Sequence, residues 1–222
     1  MSHKPRSILV IAARGRGSSL RDKNIYPLNG KPLLAHVIDE LGRAGCVDGV
    51  AVWTDAESVA AVARACGAMA LPRPREMVHY QSGFYRLDEW QTFLTNQVDS
   101  RFGQADYWIS VNCNYALFRA ATLDAMMARI VATPSLGMIY AVSPVRPPIY
   151  LENHISRTIM PLFPSLCGMV RRMGVSITEI HTGATARAHH RVDWEEGLDF
   201  QHEDDIPFVQ YLLRKRAGTG PA

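Results

Sequence analysis

The sequence predicts an α/β protein: a Rossmann-like three-layer fold with a mostly parallel sheet and an inserted arm. Three observations lead there. Short apolar runs rich in branched residues recur along the chain, as in SILVIA and GVAVWTD. Segments with apolar residues at helical spacing, of about 10 to 15 residues, alternate with those runs, the pattern of a parallel sheet with right-handed crossovers. One stretch, residues 145–172, breaks the alternation with prolines, large apolar residues and arginines. A chain of 222 residues is long enough to bury a full α/β core, and one domain is expected.

Taken in order, residues 7–12 carry a short continuous apolar run from Ile8, bounded by Arg and Gly, and read as a buried strand. PLNGKPLLAHVIDELGRAG then gives a turn at Asn29 and Gly30, a helix opening at Pro32, apolar positions at Leu33, Leu34, Val37, Ile38 and Leu41, and a stop at Gly45. GVAVWTD is the second strand, residues 56–66 a helix that Asp55 could cap, and AMALP a third strand. Residues 73–83 are rich in turn formers. YRLDEWQTFLTNQV places Leu87, Trp90, Phe93 and Leu94 on one helical face. ADYWISVN is strand, AATLDAMMARIVA helix and LGMIYAVSPV strand. Beyond the arm, which suits a lid, an oligomer contact or both, GVSITEI resumes a strand. HTGATARAHH reads as helix, and GLDF precedes a last helix over residues 204–214.

Composition narrows the functional classes. Hydrophobic residues make up 47% and charged residues 20%, which argues against disorder. A net charge of +3 is too small for a nucleic-acid arm and compatible with an anionic small ligand. Cys46, Cys66, Cys113 and Cys167 are scattered without a CxxC pair, so they read as reduced thiols of a cytoplasmic protein rather than zinc ligands or a disulfide framework. The opening apolar run is too short for a signal sequence, and none approaches the roughly 18 residues of a membrane span.

The richest stretch is ARGRGSSLRDKN, residues 13–24, directly after the first strand. In a parallel sheet, ligands bind outside the carboxyl ends of the strands. Glycines let backbone amides approach phosphate oxygens, and Arg14, Arg16, Arg21 and Lys23 can neutralise a polyphosphate. The loop matches neither GxxxxGK[ST] nor GxGxxG, so it is neither a P-loop nor a dinucleotide fingerprint, and a dehydrogenase is disfavoured.

ARGRGSSLRDKNIYPLNGKPLLAHVI resembles the start of the cytidylyltransferases that make CMP-sialic acid and related CMP-ulosonic acids. VWTDAESVAAVARACGA is similar to that family's second strand and helix, LPRPREM to its Arg-Pro-x-Glu-Leu segment, and GLDFQHEDDIPFVQYLL to its Asp-containing strand and closing helix. The resemblance implies a CTP-dependent transferase that uses Mg²⁺, releases pyrophosphate and pairs as a homodimer, with no nucleic-acid or membrane partner. It implies that Ala13, Arg14, Lys23 and Asn24 belong to the triphosphate motif, with Arg14, Lys23 and Asp199 as the catalytic set. Arg73 and Ser82 fall on the nucleoside side, Arg171 on an acceptor-carboxylate arginine, and Asp199 on the first aspartate of a magnesium-holding Asp-x-Asp pair.

The sequence also departs from that pattern. The family's phosphate-loop lysine falls on Ser18, with Arg16 as compensation, and its second metal aspartate falls on Gln201. The acceptor-side segment reads NCNYALF, which makes Asn112 and Asn114 acceptor candidates, and Met173 replaces an Asn. A sugar hydroxyl must lose a proton, whereas a phosphonate oxygen is already ionised near neutral pH. Keeping Asp199 while carrying Gln201 therefore favours a small phosphonate acceptor, with Arg171, Arg172 or Arg146 as clamps. The competing expectations are a sugar-acid acceptor and a nucleotide-binding module without turnover.

Other conspicuous residues carry plainer readings. His189 and His190, adjacent on a helix, would point about 100° apart and form no ligand pair. Cys113 has no neighbouring base, and Met126, Met127 and the Trp90 stripe read as core. Asp204 and Asp205 complement the dipole of the last helix rather than form a metal cluster, and Asp55 is as much a cap as a ribose or metal contact.

Overall fold

A computed structural model of the chain describes residues 5–16, 20–74, 77, 87–144, 150–152, 159–161, 170–180 and 183–218. The opening run forms β1 (Ser7–Ala12), whose residues from Ser7 to Ile11 are all buried. Its side chains alternate between two cores: Leu9 and Ile11 face one, Ile8 and Val10 the other. A strand buried on both faces needs a continuous apolar run rather than an alternating one, which is what the sequence supplies.

After β1 the chain makes a single 3-10 turn at Lys23–Ile25 and a small hairpin, β2 (Pro27–Leu28) with β3 (Lys31–Pro32). Asn29 and Gly30 at its tip both have positive φ, at 51° and 79°, the geometry of the expected turn. Helix α1 (Leu33–Leu41) follows, with Leu33, Leu34, Val37, Ile38 and Leu41 on its buried face, and it closes at Gly42 rather than at Gly45. Pro32 sits just before it, and the Leu33 amide donates to the Tyr26 carbonyl at 2.9 Å.

β4 (Gly49–Thr54), α2 (Glu57–Ala65), β5 (Met69–Pro72), α3 (Leu87–Phe102), β6 (Tyr107–Asn112), α4 (Ala120–Val131) and β7 (Leu136–Pro144) continue the expected alternation. β8 (Tyr150–Glu152) and β9 (Ile159–Pro161) pair as a hairpin within the arm. β10 (Val170–Glu179), β11 (Ala186–Arg191) and α5 (Ile206–Arg216) complete the fold. The main sheet has seven strands in the order β11-β7-β10-β6-β1-β4-β5. Every pairing is parallel except those of β10, which runs antiparallel to both β6 and β7.

The helices cover both faces. α1, α2 and α4 pack through Val37, Val59, Leu123 and Met126 on one side, joined by Val209 of α5, while α3 packs through Leu94 and Val98 on the other. This is the three-layer arrangement expected. Trp53, Phe118 and Phe200 are among the largest fully buried side chains. Met126 and Met127 are core, as expected.

Two expectations are corrected. The segment read as helix, HTGATARAHH, contains β11 instead, parallel to β7. Ala and Arg are good helix formers, but the unpaired edge of β7 offers a ladder that outweighs a propensity of a few tenths of a kcal/mol per residue. His189 and His190 consequently alternate across a strand: His190 is half-buried and His189 exposed. The second correction concerns the arm's far end, where residues 170–172 already belong to β10, so the core strand begins four residues before the GVSITEI run. The arm's residues 145–149, 153–158 and 162–169 lie outside the described residues.

Candidate functional site

Parallel β1, β4, β5 and β6 all end at one edge of the sheet, at Ala12, Thr54, Pro72 and Asn112. β7 ends there too, and antiparallel β10 begins there, with Arg171 paired to Ser143. The loop after β1, the Arg73 segment, the Asn112 turn, Arg171 and the start of the arm therefore share one end of the molecule. That is where the sequence places the ligand.

The loop after β1 is braced from two sides. The Ala13 amide donates to the Trp53 carbonyl at 3.1 Å, and the Gly15 amide donates to Asp55 Oδ1 at 2.8 Å. A Cβ on Gly15 would stand 2.3 Å from the Cβ of Ala56, so the close approach of loop and α2 requires glycine. Asp55 is thus neither the cap of α2 nor a free carboxylate; Thr54 Oγ1 takes the Ala56 amide at 3.2 Å. On the other side Asn24 Nδ2 donates to the Arg14 carbonyl at 2.7 Å. Asn24 Oδ1 is buried with no hydrogen-bond partner among the described residues.

Asp22 adopts left-handed geometry, φ 52°, which turns the chain into the 3-10 turn and buries Lys23 beside Asn24. Lys23 Nζ donates to Gln201 Oε1 at 2.7 Å, and Gln201 Nε2 donates to Asp199 Oδ1 at 2.6 Å. Burial lowers the Lys23 pKa below its ordinary 10.5, the Asp199 carboxylate counters that, and the positive charge of Arg14 lowers it further. Arg14 and Lys23 are therefore electrostatic neighbours. Cys113 lies close enough to feel Lys23, but burial pushes its thiol up to about 12, so it is inert at neutral pH.

The segment bearing Asp199 is fixed by backbone and carboxylate contacts. The Phe200 amide donates to the Asn114 carbonyl at 3.1 Å, and Asp205 Oδ2 accepts from the amides of Gln201 and His202 at 2.8 Å each. Asn114 thus serves the site through its main chain. Asp205 spends its carboxylate on the turn before α5, in keeping with a helix-end role.

Arg73 stands at the end of β5 with its guanidinium 4.5 Å from the centroid of the Trp53 ring. Its Nε and Nη2 donate to the Met77 carbonyl at 3.0 and 2.6 Å. Stacking and two hydrogen bonds hold the cation in one orientation. At the end of β6, exposed Asn112 packs against Gly174, where a Cβ would stand 2.1 Å from its Nδ2, and the Gly174 amide donates to Tyr115 Oη at 3.3 Å. The pairing of β10 shifts register between Arg172 and Ser176, a bulge next to this contact. Arg16 is exposed on the loop. Ser18 and Ser82 lie outside the described residues.

Among the described residues no group of three His, Cys, Asp or Glu could hold a metal, the HEDD stretch included. Mg²⁺ commonly takes one or two carboxylates and fills its remaining positions with water and substrate phosphates. Asp199 supplies one carboxylate, which suits an ion carried by a phosphate ligand and not an all-protein cage.

A family model described as Cytidylyltransferase matches residues 8–128, and the chain belongs to that family. A 3-deoxy-manno-octulosonate cytidylyltransferase of Anaeromyxobacter is 44% identical over 66 residues, which is 30% of this chain and 27% of that protein. An N-acylneuraminate cytidylyltransferase of Escherichia coli is 40% identical over 70 residues, 32% of this chain and 17% of that protein. A 3-deoxy-manno-octulosonate cytidylyltransferase of Geobacter metallireducens is 30% identical over 131 residues, 58% of this chain and 46% of that protein. In each case the chain spans less than half the length of the relative. Among solved structures, a CMP:2-keto-3-deoxy-manno-octonic acid synthetase complexed with CTP aligns with a TM-score of 0.68 at 14% identity, over 95% of this chain and 99% of that one. A 4-diphosphocytidyl-2C-methyl-D-erythritol synthase aligns with a TM-score of 0.69 at 15% identity, over 96% and 100%. These two establish the shared fold.

Sequence reasoning treated Gln201 only as a missing ligand. The structure gives it a position of its own, between Lys23 and Asp199. The bracing role of Asp55 was also missed as such, although its place at the end of β4 was the available signal.

Proposed function

We propose that the protein is a CTP-dependent cytidylyltransferase that transfers CMP to an anionic acceptor. An acceptor oxygen attacks the α-phosphorus, the bond from that phosphorus to the bridging oxygen of the β-phosphate breaks, and pyrophosphate leaves with the electron pair. Such transfer depends on alignment and charge neutralisation more than on covalent help. The observation that carries the reading is the membership of residues 8–128 in the cytidylyltransferase family, together with Lys23 held beside Arg14 at the carboxyl edge of the sheet.

In this reading Arg14, Arg16 and Lys23 draw in the triphosphate, with Ala13 and Ser18 as further members of its binding motif. Asn24 fixes the loop through the Arg14 carbonyl. Arg73 and Ser82 serve the nucleoside. Asp199 would hold a magnesium ion that comes with the triphosphate, and that ion would supply charge to offset the phosphates. Asn112, Asn114 and Arg171 border the acceptor. The finer reading is a small phosphonate acceptor, giving a CMP-phosphonate. It is supported by the single carboxylate at Asp199 with an amide at 201, because an ionised phosphonate oxygen needs no base to become a nucleophile. The family model stops at residue 128, so it covers Asn112 and Asn114 but not Arg171.

The names of the relatives favour a second reading, a sugar acid as acceptor. Incubating the protein with CTP, Mg²⁺ and each acceptor class while following pyrophosphate separates the two. Release confined to phosphonates is the expected result, and release confined to ulosonic acids overturns the phosphonate reading. Lys23→Ala and Asp199→Ala should each abolish turnover; CTP binding without pyrophosphate from any acceptor would make the protein a binding module.

A further inference from the structure

A buried ammonium group needs an acceptor, and the acceptor that Lys23 finds is uncharged. Its Nζ donates to Gln201 Oε1 at 2.7 Å, across a separation of 178 residues. The other end of that amide faces Asp199, with Nε2 donating to Oδ1 at 2.6 Å. The two neighbours are chemically unlike: a carboxylate only accepts and an ammonium only donates. An amide placed between them has one workable orientation, and it adds no charge of its own.

A carboxylate at position 201 would act differently. It would pair with Lys23 as a full salt bridge and compete with any phosphate for the ammonium. It would also stand next to Asp199, where two carboxylates repel unless a proton or a cation joins them. A leucine would leave both Lys23 and Asp199 without their present partner. The main chain of Gln201 is itself fixed, its amide donating to Asp205 Oδ2 at 2.8 Å, so the side chain reaches inward from a settled base.

We propose that Gln201 is a positioning residue, an uncharged clasp that orients Lys23 through Asp199 while leaving the ammonium exchangeable for a phosphate oxygen. The proposal rests on the reading of this edge as a CTP site. It predicts that the triphosphate displaces Oε1 from Lys23, and that the amide keeps the region poor in carboxylate, so that CTP binds without a resident divalent ion.

Equilibrium CTP binding in EDTA, measured for the wild-type chain, Gln201→Glu and Gln201→Leu, tests this, with Mn²⁺ binding to the nucleotide-free proteins followed by electron paramagnetic resonance. Gln201→Glu should weaken CTP binding in EDTA about tenfold or more, the scale of one charge-assisted hydrogen bond. The same variant should gain a Mn²⁺ signal that the wild type lacks. Gln201→Leu should weaken CTP binding comparably without gaining that signal, which a merely structural loss would not separate. Gln201→Glu is nearly isosteric, and matched unfolding midpoints confine the comparison to the site. CTP binding in EDTA within about twofold of wild type for both variants overturns the clasp, as does a Mn²⁺ signal equal in wild type and Gln201→Glu. A wild-type chain that binds no CTP would instead overturn the function proposed above.

Discussion

At the scale of single residues, burial and close approach decide what each side chain can do. Cys113 is 1% exposed, and its thiol is held protonated up to about 12, against 9.0 in an open chain. The folded state therefore keeps a proton that the unfolded chain releases, so stability should fall as pH rises from about 9 to about 12. The slope from this thiol approaches 1.4 kcal/mol per pH unit at most, about the value of one proton. Lys23 works in the opposite sense, because its lowered pKa leaves the unfolded chain holding the extra proton. Urea midpoints at pH 8 and 10.5 for the wild type and Cys113→Ala should isolate the cysteine: the wild type loses more stability across this interval than the variant. At Gly15, the 2.3 Å approach of an added Cβ to Ala56 leaves no room for alanine. Gly15→Ala should cost about 1–3 kcal/mol and weaken CTP binding, checked by denaturation and titration together. Binding as tight as wild type would show that the loop after β1 does not form the phosphate cradle.

At the scale of elements, the N-terminus of α4 is finished by two carboxylates from distant parts of the chain. The Arg119 amide, just before α4, donates to Glu196 Oε2 at 3.0 Å, and the Ala120 amide donates to Glu40 Oε1 at 3.1 Å. Negative charge belongs at a helix N-terminus. Glu196 is buried, which raises its carboxyl pKa, and it ties the 193–200 segment to α4 and so helps place Asp199. Glu196→Ala should cost about 1–3 kcal/mol by leaving a buried donor unmet, whereas Glu196→Gln, which keeps an acceptor, should cost less; thermal melts of the two variants check the order. β11 supplies a second test. As an edge strand paired on one side, its amides should show alternating protection from hydrogen exchange, and a protected block would restore the helix read from the sequence. The sequence was legible where apolar runs and helical spacing agreed, as in β1, α1, β4 and α4. It was not legible in β11, since Ala186–Arg191 has no apolar face of either period and becomes a strand only because β7 has a free edge. The loop residues Arg14 and Lys23 could be named from composition and resemblance. The partner of Lys23 could not, because nothing local to residue 23 points to residue 201.

For the whole molecule, the hairpin after β1 and helix α5 meet through two hydrogen bonds. Asn29 Nδ2 donates to the Gln210 carbonyl at 2.9 Å, and Arg214 Nη1 donates to Asn29 Oδ1 at 2.7 Å, so the hairpin after the first strand is tied to α5. Val209 and Leu212 of α5 are 3% and 2% exposed. Truncation after residue 205 would remove these two buried side chains, about 3–6 kcal/mol of burial, a large part of the stability of an ordinary domain. The truncated chain should unfold at much lower denaturant than the intact one, and CTP binding should weaken even at temperatures where it stays folded, because Asp205, which holds the Gln201 amide, becomes a chain end with no helix behind it.

The bridge from Lys23 to Gln201 joins residues 178 positions apart. A chain still emerging from the ribosome can finish its first strands and helices long before residue 201 appears, yet it lacks the group that steadies its lysine. Under the function proposed above, nucleotide capture therefore waits until residue 201 has been made, and a product that stops short of it should neither sequester nucleotide nor act on it.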